Sequence, residues 1–187
     1  LEAMTMSDRI AIMEGGRLQQ FAPPQDVYRE PANRFVASFI GTPGMNMIDG
    51  ELRKDGETWW FEAPNLKIEA RGLGPQAQPG KACLGVRPES ITLGKGPYSG
   101  SVHLVEQTGH ENIVAVDIGG DVQLTGRAPA TVIPRLGQSV QFSIDPDASH
   151  FFAAGPTGIR LNESRPVSDS EEWSPAQTAI NFQEAQS

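Results

Sequence analysis

A single cysteine, three histidines and two tyrosines stand among the 187 residues of this chain, which also has no basic excess and no long apolar run. Each shortage removes a class of function. The lone thiol of Cys83 excludes an internal disulfide framework and fits a reducing, cytosolic setting. His103, His110 and His150 are spread too widely to give a metal-ligand spacing. With a formal charge of −8, a pI near 4.9 and scattered Lys and Arg, the chain offers no field for a phosphate backbone or an anionic lipid, so nucleic acid is not expected as a partner. No stretch approaches the roughly 20 apolar residues that span a bilayer, and no charged segment followed by an apolar one marks export.

What is there suffices for a folded core, with 38% hydrophobic residues punctuated by 20 glycines and 15 prolines. The opening "LEAMTM" has helix-favouring Glu2, Ala3 and Met4 and no initiator, and reads as the end of a helix begun upstream. Next, "RIAIM" and "RLQQF" flank "EGG", whose glycines tolerate the positive φ of a tight reversal, and predict a β-hairpin. In "PPQDVYRE", Pro24 suits a first helical turn and Asp26 its positive end, and Pro31 stops the helix. "ANRFVASFIG" sets Phe35, Val36, Phe39 and Ile40 on one stripe closed by Gly41, with Phe35 and Phe39 expected to face a core. A hairpin and two short helices shield too little surface to bury that stripe, which implies a partner upstream.

From "TPGMNMIDG" onward helical periodicity gives way to short strand-like runs: "MIDGELRK", "TWWFEA", "LKIEA", "ACLGVRP", "SGSVHLVEQ", "NIVAVDIG", "DVQLTGR" and "SVQFSID". Turn residues bound each run, and many short strands at this spacing imply a mainly β fold, a sandwich or small barrel. In "NIVAVDIGG", Val114, Val116 and Ile118 alternate with Ile113, Ala115 and Asp117, so one face points inward. From Asn162 the chain turns polar, leaving Trp173, Ile180 and Phe182 to anchor a loosely docked tail. The chain thus divides at 1–42, 43–161 and 162–187.

The run "LEAMTMSDRIAIMEGGRLQQFAPPQDVYREPANRFVASFIGTPGMN" resembles the last segment of the ATP-hydrolysing domain in ATP-binding-cassette (ABC) importers of the maltose and sugar type. The remainder resembles the OB-like regulatory barrel, the TOBE domain, that follows it, through "LGVRPESI", "VEQTGHEN" and "HFFAAGPTGIRL". The resemblance covers residues 1 to 161. It implies a remnant of the nucleotide-binding domain over 1–42, an OB-like (TOBE) barrel over 43–161, and a regulatory and assembly role in which two copies pair through the barrels. It implies as partners a second copy, the permease subunits reached through the catalytic domain, and a regulatory protein. It places the assembled protein in the cytoplasm, peripheral to the inner membrane. ATP and magnesium would belong to the longer parent protein, with no cofactor in this chain.

The departure from the family is the lack of a Gly-rich loop ending in Lys-Ser/Thr, of a strand ending in an acidic pair, and of a Ser-Gly-Gly signature. Phosphoryl transfer is positioning and electrostatics by those groups, so this chain is expected not to hydrolyse ATP, and it reads as part of a longer ATPase. A different class of function remains open, a free-standing OB-like domain that binds an oxyanion or an oligosaccharide. The acidic balance and the want of a Ser/Thr/Lys-rich loop weigh against anion capture.

Five residues stand out as regulatory or interface candidates: Arg87, Glu89, Glu106, His110 and Trp59. Arg87 and Glu89 flank Pro88, where an interdomain contact competes with a strand-end turn bearing exposed charges; the turn is the weightier reading. Glu106 and His110 fall in "VEQTGHEN"; His110 with Glu111 invites an acid–base reading, which a hairpin turn outweighs because no nucleophile or further carboxylate stands beside them. Trp59 and Trp60 point to opposite faces of one strand, so at most one can stack a sugar. "GPTGIRL" lacks the spacing of a phosphate cradle and predicts a turn before a last strand.

Overall fold

The computed structural model describes residues 7–164. The expected helical start at Glu2, Ala3 and Met4 and the tail anchors Trp173, Ile180 and Phe182 lie outside the described residues.

The chain begins with the hairpin β1 (Ile10–Glu14) and β2 (Arg17–Ala22). Its two-residue turn, Gly15 and Gly16, has φ of 53° and 78°, which only glycine adopts freely. Helix α1 (Pro24–Arg29) carries Pro24 at its first turn and Asp26 beside its positive end. Helix α2 (Arg34–Phe39) is capped by Asn33, whose side chain accepts from the Val36 N–H at 3.0 Å.

The helix buries only part of the stripe expected from sequence. Val36, Ala37 and Ile40 turn inward, whereas Phe39 is 65% exposed and Phe35 is half-buried, stacked on Phe39 at 5.8 Å. Phe35 and Phe39 are expected from sequence to face a core toward the upstream catalytic domain; among the described residues Phe39 has no such cover. The inward position goes to Ala37, which fits closely against Met45, Cys83 and Phe152. The stripe also finds cover inside this chain: Val36 and Ile40 pack with Ile10, Ile12 and Val27.

The larger body is built from two sheets. One has five antiparallel strands in the order β11-β6-β3-β4-β5: β3 (Asn46–Asp55), β4 (Thr58–Ala63), β5 (Leu66–Glu69), β6 (Gly80–Val86) and β11 (His150–Ala153). The other has the order β10-β7-β8-β9: β7 (Ile91–Gln107), β8 (Glu111–Gly119), β9 (Val122–Pro129) and β10 (Ser139–Ile144). A parallel pairing of Thr92 with Arg127 returns β9 to the start of β7 and closes this sheet on itself.

The 17-residue strand β7 makes that closure possible by bending. Its first part pairs with β10 through Ile91, Thr92 and Leu93 and its later part through Ser99, Gly100 and Ser101, with a register shift between. Gly96 sits at the bend with φ 140°, and a Cβ there would lie 2.1 Å from the Phe142 carbonyl oxygen. The two sheets share one core, in which Phe61, Phe142, Phe151, Leu52, Leu84 and Leu124 are fully buried. Strand β8 alternates as its sequence predicts, with Val114, Val116 and Ile118 inside and Asp117 exposed.

Strand β6 differs because both of its faces are covered: Leu84 and Val86 enter the shared core while Cys83 faces α2. This is why "ACLGV" reads as an unbroken apolar run. The strand expected after "GPTG" does not form. Ile159, Arg160 and Asn162 make isolated bridges to Asn33, Phe152 and Leu73 instead, because their backbone partners lie on three different segments.

Candidate functional site

The residues that sequence singled out around Arg87 meet where the hairpin and helices join the β body. Strand β6 ends at Val86, and the 3-10 turn Pro88–Ser90 follows, so the strand-end turn is present. Arg87 itself is not an exposed charge: it is 4% exposed. Its guanidinium donates to the Ile40 carbonyl at 2.8 Å and to the Tyr28 carbonyl at 2.6 Å, and its centre lies 3.5 Å from the Tyr28 ring. Burial lowers the pKa of Arg87 from its ordinary value, an effect opposed by Tyr28 and Glu89.

Glu89 completes the contact from the turn by accepting the Tyr28 hydroxyl hydrogen bond. Desolvation first, and this bond to Glu89 second, raise the Tyr28 pKa above 10.0. Arg127, at the end of β9, extends the cluster. It donates to both Glu111 carboxylate oxygens at 3.0 and 3.3 Å and to the Thr42 carbonyl at 3.3 Å, and its Nε lies 4.0 Å from Glu89. The segment that leads from α2 into β3 is thus held at Ile40 by Arg87 and at Thr42 by Arg127.

Asn46, where that segment enters β3, is fixed by its amide. It donates to the Val86 and Thr125 carbonyls and accepts from the Thr125 N–H at 2.6 Å, tying the two sheets together beneath the cluster. A second seam lies on the other side of α2. The Arg34 N–H donates to the Gly158 carbonyl and the Arg160 N–H to the Ala32 carbonyl, both at 3.0 Å. The Arg34 side chain adds an ion pair with Asp49 at 2.9 Å.

The remaining candidates lie at the margin or elsewhere. His110 occupies the β7–β8 turn with its side chain 80% exposed, 3.6 Å from Glu111. Glu106 is exposed on β7 opposite Ile113. Trp59 packs against the shared core, while Trp60 on the opposite face lies beneath Lys67, 5.1 Å away. Lys54 stands 5.5 Å over the Trp59 ring, so neither ring is an open platform. Sequence reasoning missed Tyr28, Arg127 and Asn46, which lie far apart in the chain and meet only through the fold, and it weighed Glu111 only with His110, not as the partner of Arg127.

Among the described residues, no three His, Cys, Asp or Glu side chains gather in a group that could hold a metal ion. The Gly155–Gly158 turn commits the Gly158 N–H to the Gly155 carbonyl at 3.2 Å. No described helix is long and apolar enough to cross a membrane.

Comparison with known proteins gives two domain matches, the MalK OB fold domain over residues 41–91 and the TOBE domain over residues 84–152. The chain is 37% identical to the uncharacterized ABC transporter ATP-binding protein YurJ of Bacillus subtilis over 166 residues, covering 82% of this chain and 45% of that protein. It is 35% identical to the sn-glycerol-3-phosphate import ATP-binding protein UgpC of a Ruegeria species, covering 87% of this chain and 45% of that one. With the xylose/arabinose import ATP-binding protein XacK of Haloferax volcanii the identity is 35%, over 86% of this chain and 43% of that one. The chain therefore spans under half the length of the curated relatives it matches. Over residues 41–152 it belongs to the MalK OB fold and TOBE domain families, in the company of ATP-binding proteins of ABC transporters.

Proposed function

We propose that this chain is the regulatory and assembly part of the ATP-binding subunit of an ABC importer for sugars or related solutes. The observation that carries the reading is the pair of domain matches across residues 41–152, joined to relatives named as import ATP-binding proteins. On this reading, residues 1–42 are the end of a nucleotide-binding domain, 43–161 the OB-like barrel and 162–187 a polar tail. The phosphate-loop lysine, the magnesium-binding acids and the bound ATP belong to the rest of a longer protein, so this chain alone hydrolyses nothing. Two copies pair through their barrels by a two-fold axis, the commonest closed assembly. The full subunit works on the cytoplasmic side, against permease subunits and under the control of a regulatory protein.

Sedimentation of the purified chain across a micromolar concentration series, with and without magnesium ATP, tests the proposal. A dimer whose size and melting temperature ignore the nucleotide is the expected result. A monomer at every concentration would remove the assembly role, and a melting shift with ATP would overturn the division of labour.

A further inference from the structure

The join between the helical segment and the barrel has an unusual composition. Strands or helices of one body commonly meet through apolar side chains, and such a patch exists here around Ala37, Met45, Cys83 and Phe152. At its edge, two arginines from the barrel reach across to backbone carbonyls of the connecting segment. Arg87 is the more committed of the two. Its guanidinium stacks on the Tyr28 ring, and its two terminal nitrogens reach different elements, the end of α1 at Tyr28 and the end of α2 at Ile40.

A planar fork suits this task and an ammonium does not, because one rigid group must satisfy two carbonyls while stacking on a ring. Space is tight as well: a Cβ at Gly41 would lie 3.0 Å from an Arg87 terminal nitrogen. Arg127 repeats the arrangement two residues further on, with one terminal nitrogen held by both Glu111 carboxylate oxygens and the other donating to Thr42. Tyr28 closes the circuit by donating to Glu89, next but one to Arg87. A merely stabilising surface pair needs none of this convergence, and exposed pairs contribute little in any case.

We infer that Arg87 and Arg127 form a two-point clamp that fixes the orientation of the hairpin and helices relative to the barrel. The barrel's own strands need neither bond: both arginines spend these donors on residues 28, 40 and 42, outside the two large sheets. Arg87 and Arg127 are positioning residues. Their loss is expected to free the angle between the two parts while leaving the barrel folded.

Spin labels at Gln25→Cys and Gln141→Cys, both exposed positions, report that angle as a distance distribution, while Cys83 is buried. The native pair should give one narrow distance. Arg87→Lys keeps the charge but breaks the fork, and should broaden the distribution and speed amide exchange at Ile40 by about tenfold, with exchange in β3 and β8 unchanged. Arg127→Gln, at a position 34% exposed in its side chain, is the milder variant and should broaden the same distribution with the barrel intact. A native distribution that is already broad overturns the clamp, as do variants that leave it narrow. If both variants loosen β3 and β8 as much as Ile40, the arginines support the barrel core and the clamp is again overturned.

Discussion

Cys83 shows how completely one side chain can be withdrawn from chemistry. It is fully buried between β6 and α2, and burial, with a smaller opposing effect from Arg34, pushes its thiol up to about 11. A thiol-specific disulfide reagent should leave the native chain unmodified at neutral pH and react stoichiometrically in denaturant; fast native labelling would refute the packing of α2 on β6. Asn46 is the polar counterpart. Its amide satisfies two carbonyls and one N–H that belong to both sheets, so Asn46→Ala strands buried groups and should lower unfolding free energy by about 1–3 kcal/mol. Denaturant titration reads this directly, and a change below about 0.5 kcal/mol would mean that water replaces the amide.

At the scale of elements, the Gly155–Gly158 turn, expected from sequence as a turn, is a buttress. Gly158 offers its carbonyl to the Arg34 N–H at the start of α2, and a Cβ on it would lie 1.8 Å from the Ala153 carbonyl oxygen. Gly158→Ala must therefore push the turn off β11, and should cost about 1–3 kcal/mol while raising exchange at the Arg34 amide. Wild-type stability in that variant would contradict the close approach. The hairpin β1–β2 poses the opposite case. Its inner residues Ile10 and Ile12 are covered, yet Met13, Leu18 and Phe21 on its other positions are each more than half exposed. A two-stranded ribbon has only one face that these helices can reach.

For the whole molecule, one core spanning both sheets predicts one cooperative unfolding transition for the barrel. Phe142→Ala, at a fully buried position that also packs on Tyr98 at 5.5 Å, should cost about 3–5 kcal/mol and lower that single transition as a unit. Two separate transitions would break the two sheets apart. Alkaline pH tests the junction and the barrel together. Tyr28 and Tyr98 both have pKa values raised by burial, Tyr28 also by its bond to Glu89. Groups with raised folded pKa lend stability that is complete below the unfolded value of about 10 and is lost as pH climbs above it. The denaturation midpoint should therefore fall as pH rises above about 10, and a Tyr28→Phe, Tyr98→Phe double variant should flatten that fall.

Local chemistry, written in adjacent residues, was legible without a structure. The Gly-Gly hairpin, the proline-started helix, the alternating strand β8 and the mainly β body all follow from propensity and period, which act over a few residues. So did the turn character around Pro88 and His110. The tertiary structure alone decided that Ala37 rather than Phe39 turns inward, because Ala37 packs against Met45, Cys83 and Phe152 while Phe39 stays exposed. It alone withdrew Arg87 from solvent and joined it to Tyr28, Glu89 and Arg127, residues up to 99 positions apart on α1, β9 and the turn that follows β6. No local pattern encodes such a meeting, since it depends on where β7 bends and how β9 closes back onto it.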